Sequence, residues 1–542
     1  MRIEDIYLEP KNPLVRDYLN SFEQVADFYS YNPSDDQLFA QRAKRLDERN
    51  QAAPRAELVN VLRQYHSEEL LSSQIEKNLD RLMEPDSLCV VGGQQAGLFT
   101  GPLYTLYKAI TLIQLASREE QRLGRPVLPV FWIAGEDHDL EEVDHIHLPL
   151  RKELLKLQLD MGMDKGTRIS ISDMELDHQL DELLDQLTGM LPDTPHKQGL
   201  LQEMRELAHH SSSITHHFAR LMHRLFSPYG LILIDSAYPP LRRLEVPFFE
   251  WLINEAAPLS EGVFTTAGKI QAKGYPLQVE PEERRVHLFL REQGERKALY
   301  LDGDGFRDRE GDRYWSRQEL LQRLDDRPED FSNNVVTRPL MQEYLFPTLA
   351  TVLGAGEIAY WALLKSAFES AGMDMPILFP RLGVTLVGPR EEKWLRRYQI
   401  TPSAAIYQLS EKEQAYLASQ YQMDPVQTFA VIRQRIAEVY QPLLGDLSGL
   451  RHNMRHLGEV NQERVLREIH WLEQEVKKNL AERSAGDGHR FKELALHFCP
   501  SGMLQERVHN VLFYWNQYGE HWIRRLTEIP LLSKESHRVV YL

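Results

Sequence analysis

The sequence predicts an α/β protein: a parallel sheet covered by helices, carrying a partly β insertion and a long helical segment. Three observations predict it. Short apolar runs that close on Gly, Asp or Pro alternate with stretches of helical period. A segment from about 260 to 330 changes to short alternating runs with turn signals. From Pro425 to about Ala485, apolar residues recur in steps of three and four, the spacing of a coiled coil.

Taken in order, residues 13 to 83 are polar and helix-prone, with Leu58, Val61, Leu62 and Tyr65 at helical spacing, so 1–84 reads as a helical lead-in. The apolar run 87 to 91 stops at Gly92 and Gly93 and reads as a buried strand. A helix is predicted from Pro102, a residue favoured at a first helical position, with Leu103, Leu106, Tyr107 and Ile110 continuing the period. Val127 to Ile133 is the second strand, followed by the acidic stretch Glu136 to Asp144. After a helical stretch from about 199 to 226, Leu231 to Ile234 repeats the pattern, and so does Pro376 to Phe379, closed by Pro380 and Arg381. The core is thereby assigned to 85–259 and 331–390, around an insertion at 260–330 that holds the runs Arg285 to Leu290 and Ala298 to Leu301 and the turn Asp302-Gly303-Asp304-Gly305. Residues 391–510 form the helical domain. There Ile432, Ile436, Val439, Leu443, Leu447, Leu450, Met454 and Leu457, then Val465, Ile469, Leu472, Val476 and Leu480, carry the stripe. Gly445 and Gly458 interrupt it, which allows two antiparallel helices or one bent rod. Residues 511–542 read as a helical tail packed on the core.

Composition excludes several functions. Of 542 residues, 63 are Lys or Arg and 80 are Asp or Glu, a formal charge of −17, and no run of five basic residues occurs. Nucleic acid is therefore not the expected partner. No apolar run approaches the ~18 residues a membrane span needs, and Arg2, Glu4, Asp5 and Glu9 occupy the opening where a signal segment would be apolar. A cytoplasmic protein without a membrane span is expected. Cys89 and Cys499 are too few for a disulfide framework or a Cys-rich zinc site.

Three stretches carry candidate chemistry. In Gly92-Gly93-Gln94-Gln95-Ala96-Gly97-Leu98-Phe99-Thr100-Gly101-Pro102-Leu103-Tyr104, a strand end meets a helix start, a junction whose backbone N–H groups favour an anion. It closes with no Gly-Lys-Ser/Thr and does not fit Gly-x-Gly-x-x-Gly, so a tight packing turn explains the glycines as well as a ligand does. Two adjacent amides, Gln94 and Gln95, at a strand's carboxyl end favour a polar ligand in the crevice there. In Trp132 to Asp139, the residues Glu136, Asp137 and Asp139 suit an ammonium or hydrated Mg²⁺, and the ordinary pKa of His138 suits proton transfer near neutrality. His138, Asp139, Glu142 and His145 are a conceivable zinc set, and an acidic helix start is the plain alternative. His209, His216 and His223 share a helical face but stand ~10.5 Å apart per step, too far for one metal. With His210 and His217 they read as a polar face. In the third stretch, Thr337-Arg338-Pro339-Leu340-Met341-Gln342-Glu343-Tyr344 and Gly354-Ala355-Gly356-Glu357-Ile358-Ala359-Tyr360-Trp361, an Arg before Pro and a small-residue loop opening a helix suit anion capture. Taken singly, Arg338 also suits a structural ion pair.

These words in this order, with the closing Pro500 to Arg507, resemble the BshC family, the cysteine-adding enzymes of bacillithiol biosynthesis, along the whole chain. The resemblance implies a Rossmann-like core akin to class I aminoacyl-tRNA synthetases, connecting-peptide insertions and a coiled-coil domain supporting a homodimer. It implies ligation of L-cysteine to the amine of glucosaminyl malate. The synthetase words His-x-Gly-His and Lys-Met-Ser-Lys-Ser do not occur here. On this reading Asp137 and His138 are catalytic, with His138 moving the proton. Gln94, Gln95, Gly97, Thr100, Gly101, Tyr104 and Lys108 hold an anionic group, Asp137 and Glu136 take an ammonium or metal, and Asp139 is a further substrate-binding residue. Arg338 and Arg381 pair with malyl carboxylates, and Gln342, Glu357, Tyr360 and Trp361 complete the wall. An activated donor is required, for which ATP/ADP with Mg²⁺ is the expected cofactor; no zinc is expected. A metal-dependent hydrolase centred on His138 and Asp139, and a non-catalytic dimeric scaffold, are the rival readings.

Overall fold

The computed structural model describes every residue except 50–51, 68–69, 151, 164–165, 177, 420–424, 451–452 and 534–535. The chain opens on a strand, β1 (Arg2–Tyr7), where no apolar run announces one, and passes through helices Pro13–Asn20, Leu38–Asp47, Arg55–His66 and Ser73–Leu82 to β2 (Leu88–Gln94). The helix Tyr104–Leu123 and β3 (Val127–Ile133) follow, then the antiparallel pair β4 (His145–Leu150) and β5 (Glu153–Gln158). Helices Gln179–Met190, Lys197–His209 and Ile214–Phe226 lead to β6 (Ile232–Asp235). After helices Pro239–Asn254 and Ala256–Ala272 come β7 (Arg285–Glu292), β8 (Glu295–Asp302), β9 (Gly305–Asp308), β10 (Tyr314–Trp315) and β11 (Phe331–Asn333). Thr337–Leu345 is helical and precedes β12 (Thr348–Leu353); Ala355–Trp361 precedes β13 (Ile377–Pro380) and β14 (Gly383–Val387). β15 (Ser536–Tyr541) closes the chain, pairing with both β1 and β14.

The central sheet has the order β13-β12-β2-β3-β6 and is parallel throughout. Chain order reverses between β2 and β12, so a crevice opens outside the carboxyl ends of these two strands. Apolar side chains fill both faces. Val90, Phe131 and Leu233 join the cluster under helix Tyr104–Leu123, whereas Cys89, Val91 and Trp132 join the cluster on the opposite face. Burial pushes the Cys89 thiol up to about 12, leaving no thiolate at neutral pH. The partly β insertion is an antiparallel sheet in the order β10-β9-β8-β7-β11.

Several sequence expectations change. β12 was not predicted, because Thr348 and Thr351 break its apolar run; both are buried. β2 runs past Gly92 and Gly93, since a Cβ on Gly93 would come within 3.0 Å of the Trp132 carbonyl of β3, and glycine permits that approach. The lead-in and the tail, expected to be helical, each contain a strand, and these two strands, β1 and β15, pair with each other. The helix Lys197–His209 ends at its cap His210 and Ser213 caps the next helix, Ile214–Phe226, so His209 does not share a face with His216 and His223. His217 is buried, with its ring edge-on to Phe99, and is not part of a polar face.

The second compact unit, Val387–Leu504, is helical. Helices Pro425–Ser448 and Met454–Phe498 form an antiparallel hairpin, shown by Tyr440 against Asn461 and by Arg433 against Glu473. The chain reverses between them, not at Gly445 or Gly458, both of which lie inside helices. A Cβ on Gly458 would fall 2.7 Å from Leu444 Cδ2, so this glycine marks close helix contact. The side chain of Leu480 lies outside the described ones.

Gly97 gives a direct test of the turn after β2. Its hypothetical Cβ lies 2.7 Å from the Gly101 Cα, a backbone atom that cannot swing away. Gly97→Ala is expected to destabilise by about 1–3 kcal/mol. Gly268→Ala, in an open helical position, should instead stabilise by ~0.5–1 kcal/mol. Thermal melts of the two variants check the contrast.

Candidate active site

Loops at the carboxyl ends of β2, β3, β12 and β13 meet around one cavity of about 590 Å³. β2 supplies Gln94 and Gln95; β3 supplies Glu136, Asp137, His138 and Asp139. Glu357 and Tyr360 come from the helix after β12, Arg381 from the end of β13, and Arg338 from Thr337–Leu345. Tyr104 and Lys108, one turn apart on Tyr104–Leu123, also line it. The insertion closes the opposite wall with Arg285, His287 and Phe289 of β7 and Arg296 of β8.

Charge is distributed unevenly around this wall. Lys108 is wholly buried and donates to the Gly93 carbonyl at 2.6 Å, Gln94 Oε1 at 3.2 Å and Glu357 Oε2 at 2.7 Å. Burial pulls its pKa down, and Glu357 opposes that pull. Glu357 Oε2 also accepts from Gly354 N–H at 2.8 Å, capping its own helix. Arg381 is committed: Glu506 Oε1 accepts from its Nη2 at 2.7 Å and the Leu382 carbonyl from its Nη1. Glu136, expected to take an ammonium or metal, is buried, paired with Arg242 and accepts from Asn333 N–H. Its charge is already compensated. Arg338 differs. Its Nη2 donates to the Tyr360 hydroxyl at 2.8 Å, and no carboxylate lies within ion-pair distance among the described residues. Its Nε is buried without a partner.

Asp137 Oδ2 accepts from Gln95 Nε2 at 2.8 Å, and its Oδ1 accepts from His138 N–H at 2.8 Å. His138 Nδ1 lies 2.9 Å from Arg296 Nη1. A guanidinium can only donate, so Nδ1 accepts and the neutral ring carries its proton on Nε2. The expected proton carrier is therefore held as a hydrogen-bond donor. Burial, and then the Arg296 charge, hold the His138 pKa below the usual histidine value, against the pull of Asp137 and Asp139. Removing the cation should reverse part of this. In Arg296→Met the His138 pKa is expected to rise, so that protonation begins at a higher pH, as read by its imidazole NMR shift. An unchanged titration would refute the contact.

Five expected residues lie elsewhere. Gly97, Thr100 and Gly101 form a buried turn in which Thr100 and Gly101 adopt left-handed backbone. Asn510 Nδ2 donates to the Phe99 and Gly101 carbonyls at 3.0 and 2.7 Å, and the His509 carbonyl accepts from Leu103 N–H. The helix starts at Tyr104 and not at Pro102, and the Leu103 N–H just before it is already taken by the His509 carbonyl. Gln342 and Trp361 are buried in packing away from the cavity. Of the conceivable zinc set, His145 faces Asp144 at 2.9 Å and does not line the cavity. Arg285, His287, Arg296 and the exposed Arg507 line it unexpectedly. For Arg507 the word Pro500 to Arg507 was a signal; for the β7 and β8 residues sequence offers none, because their position depends on how the insertion folds back.

Comparisons with known proteins agree over the full length. The family described as "Bacillithiol biosynthesis BshC, N-terminal Rossmann-like domain" matches residues 1–382, and "Bacillithiol biosynthesis BshC, C-terminal coiled-coil domain" matches 384–542. A relative from Geobacillus sp. (strain WCH70), named "Putative cysteine ligase BshC", is 34% identical over 100% of both chains. Relatives of the same name from Heliobacterium modesticaldum and Bacillus cytotoxicus are 35% identical over 96% of each chain and 32% identical over 100% of each, respectively. With a Rossmann-like parallel core, a helical hairpin and both family domains matched end to end, this chain belongs to the BshC family of bacillithiol biosynthesis.

Proposed function

We propose that the protein is a ligase that joins the carboxyl of L-cysteine to the amine of glucosaminyl malate. The name shared by its relatives supports the cysteine-adding class. Arg338 carries the reading in this chain: a cavity-lining guanidinium with no carboxylate at ion-pair distance among the described residues has donors to spare for an anion. A malyl carboxylate fits it in bidentate fashion. Asp137, ordered by Gln95, is the cavity carboxylate placed to take the proton that the attacking amine loses. His138 donates Nε2–H to a substrate oxygen.

A free carboxyl does not condense with an amine in water, and ATP with Mg²⁺ is the proposed source of the leaving group. At the helix start the Leu103 N–H is already engaged by the His509 carbonyl, so this reading looks to the arginines for the anionic group. Arg338 and Arg507, which have no carboxylate partner among the described residues, are the cavity residues that fit an anionic group. The test is product detection by mass spectrometry with cysteine, glucosaminyl malate and ATP/Mg²⁺; no thiol product overturns the reading. Arg338→Met is expected to weaken glucosaminyl malate binding about tenfold to a hundredfold while leaving the melting temperature unchanged or higher. Calorimetric titration and a thermal melt check both halves.

A homodimer through the hairpin is part of the proposal. Val439, Leu443, Leu457 and Trp471 are exposed along it, an apolar surface that a second copy would cover. Sedimentation of Val439→Glu/Trp471→Glu should show a monomer; an unchanged dimer refutes this role.

A further inference from the structure

His287 is the least comfortable residue of the insertion. It lies inside β7, yet its φ is +64°, a left-handed backbone that a histidine in a strand avoids. The β7–β8 register is broken between Arg285 and Phe289, where it sits. Such strain persists only where the surroundings hold it, and it concentrates at functional sites. Here the surroundings do hold it. Thr337 Oγ1 donates to the His287 carbonyl at 2.8 Å, and Asn334 Nδ2 lies 3.1 Å from Nδ1. The Asn334 amide cannot flip, because its Oδ1 accepts from the N–H groups of Val336 and Thr337 at 2.8 and 3.1 Å. Asn334 therefore donates, Nδ1 accepts, and the ring proton is on Nε2. The residue is 3% exposed and lines the cavity, and Nε2 has no partner among the described residues.

We infer that His287 is a substrate-contacting residue, whose Nε2–H donates to a carboxylate or carbonyl oxygen of the bound substrate. This rests on the ligase reading and adds to it a recognition group supplied by the insertion. Burial, and then Arg285, pull its pKa down to about 3, so the ring stays a neutral donor across the working range. The left-handed backbone is then retained for ligand contact and not for folding.

The test uses the full chain with three substitutions. His287→Asn tolerates left-handed backbone but lacks a donor at the Nε2 position; His287→Gly relieves the strain; His287→Gln restores an N–H near that point. Cysteine and glucosaminyl malate are titrated separately by calorimetry, and steady-state turnover is measured. For the Asn and Gly variants, affinity for one substrate, or kcat, should fall about tenfold to a hundredfold, with an equal or higher melting temperature and partial recovery in the Gln variant. The substrate affected identifies the oxygen's source. Unchanged affinity and turnover in the Asn and Gly variants overturn the inference alone. If the wild-type protein binds neither substrate, the ligase reading falls and takes the inference with it.

Discussion

Glu343→Gln should unfold at much lower denaturant, a loss of about 3–5 kcal/mol. Glu343 is 1% exposed, and its Oε1 accepts from Arg42 Nη2 at 2.7 Å and from Arg49 Nη1 at 2.9 Å. Arg42 is itself buried and also donates to the Thr348 carbonyl, at 3.1 Å from Nε and 3.0 Å from Nη2, and to the Asp374 carbonyl at 3.2 Å. One carboxylate thus compensates two guanidiniums that hold the start of β12 and the approach to β13. A neutral amide preserves the volume and removes the charge, leaving two cations in a poorly solvated interior. Burial pushes the Glu343 carboxyl up, while both arginines pull it back. Replacing Arg42, Arg49 and Glu343 together by Met, Met and Leu should recover most of the loss, since no charged member of the cluster is then left without its partner. Urea titration followed by fluorescence checks this; a loss below ~1 kcal/mol for Glu343→Gln would show that water reaches the cluster.

The parallel core was readable because its physics is local. β3 lies where the apolar run Val127 to Ile133 predicted it, since a strand buried on both faces must be apolar almost throughout. The convergence of Gln94, Asp137, Glu357 and Arg381 follows from the same logic, because parallel strands deliver their following loops to one edge. The misses arise where tertiary contacts decide. β12 reads as mixed because Thr348 and Thr351 are buried within it, and β1 has no apolar run because its ladder to β15 depends on a segment more than 500 residues away. The glycine-rich stretch after β2 allowed an anion site or a packing turn. Only Asn510, from the far end of the chain, decides for the turn. Residue type likewise gave His138 the proton-transfer role, while the partner that fixes its tautomer, Arg296, sits in an insertion whose fold-back no spacing reveals.

Lys108→Met should reduce amide formation about a hundredfold to a thousandfold. Lys108 rises from Tyr104–Leu123 into the point where chain order reverses, and its ammonium ties the end of β2 to the helix after β12 through Gly93, Gln94 and Glu357. All three acceptors belong to the cavity wall. Methionine keeps most of the length and volume, so the sheet and helix should still pack. What it removes is the charge: among the described residues Glu357 then retains only the Gly354 N–H as a close donor, and the Gln94 amide loses the group that orients it. Water or substrate then competes for those acceptors, and the Gln94–Gln95 edge no longer presents a fixed geometry. Lys108→Arg should not rescue, because a planar fork cannot replace a compact ammonium among three acceptors. Glu357→Gln should impair turnover by itself, while the double variant Lys108→Met/Glu357→Gln should be more stable than the sum of the singles predicts, since neither charge of the pair is then left alone. Initial rates with thermal melts on the same samples separate the two effects. Turnover within threefold of wild type in a folded Lys108→Met protein would show that this partly buried ion pair only holds the sheet together.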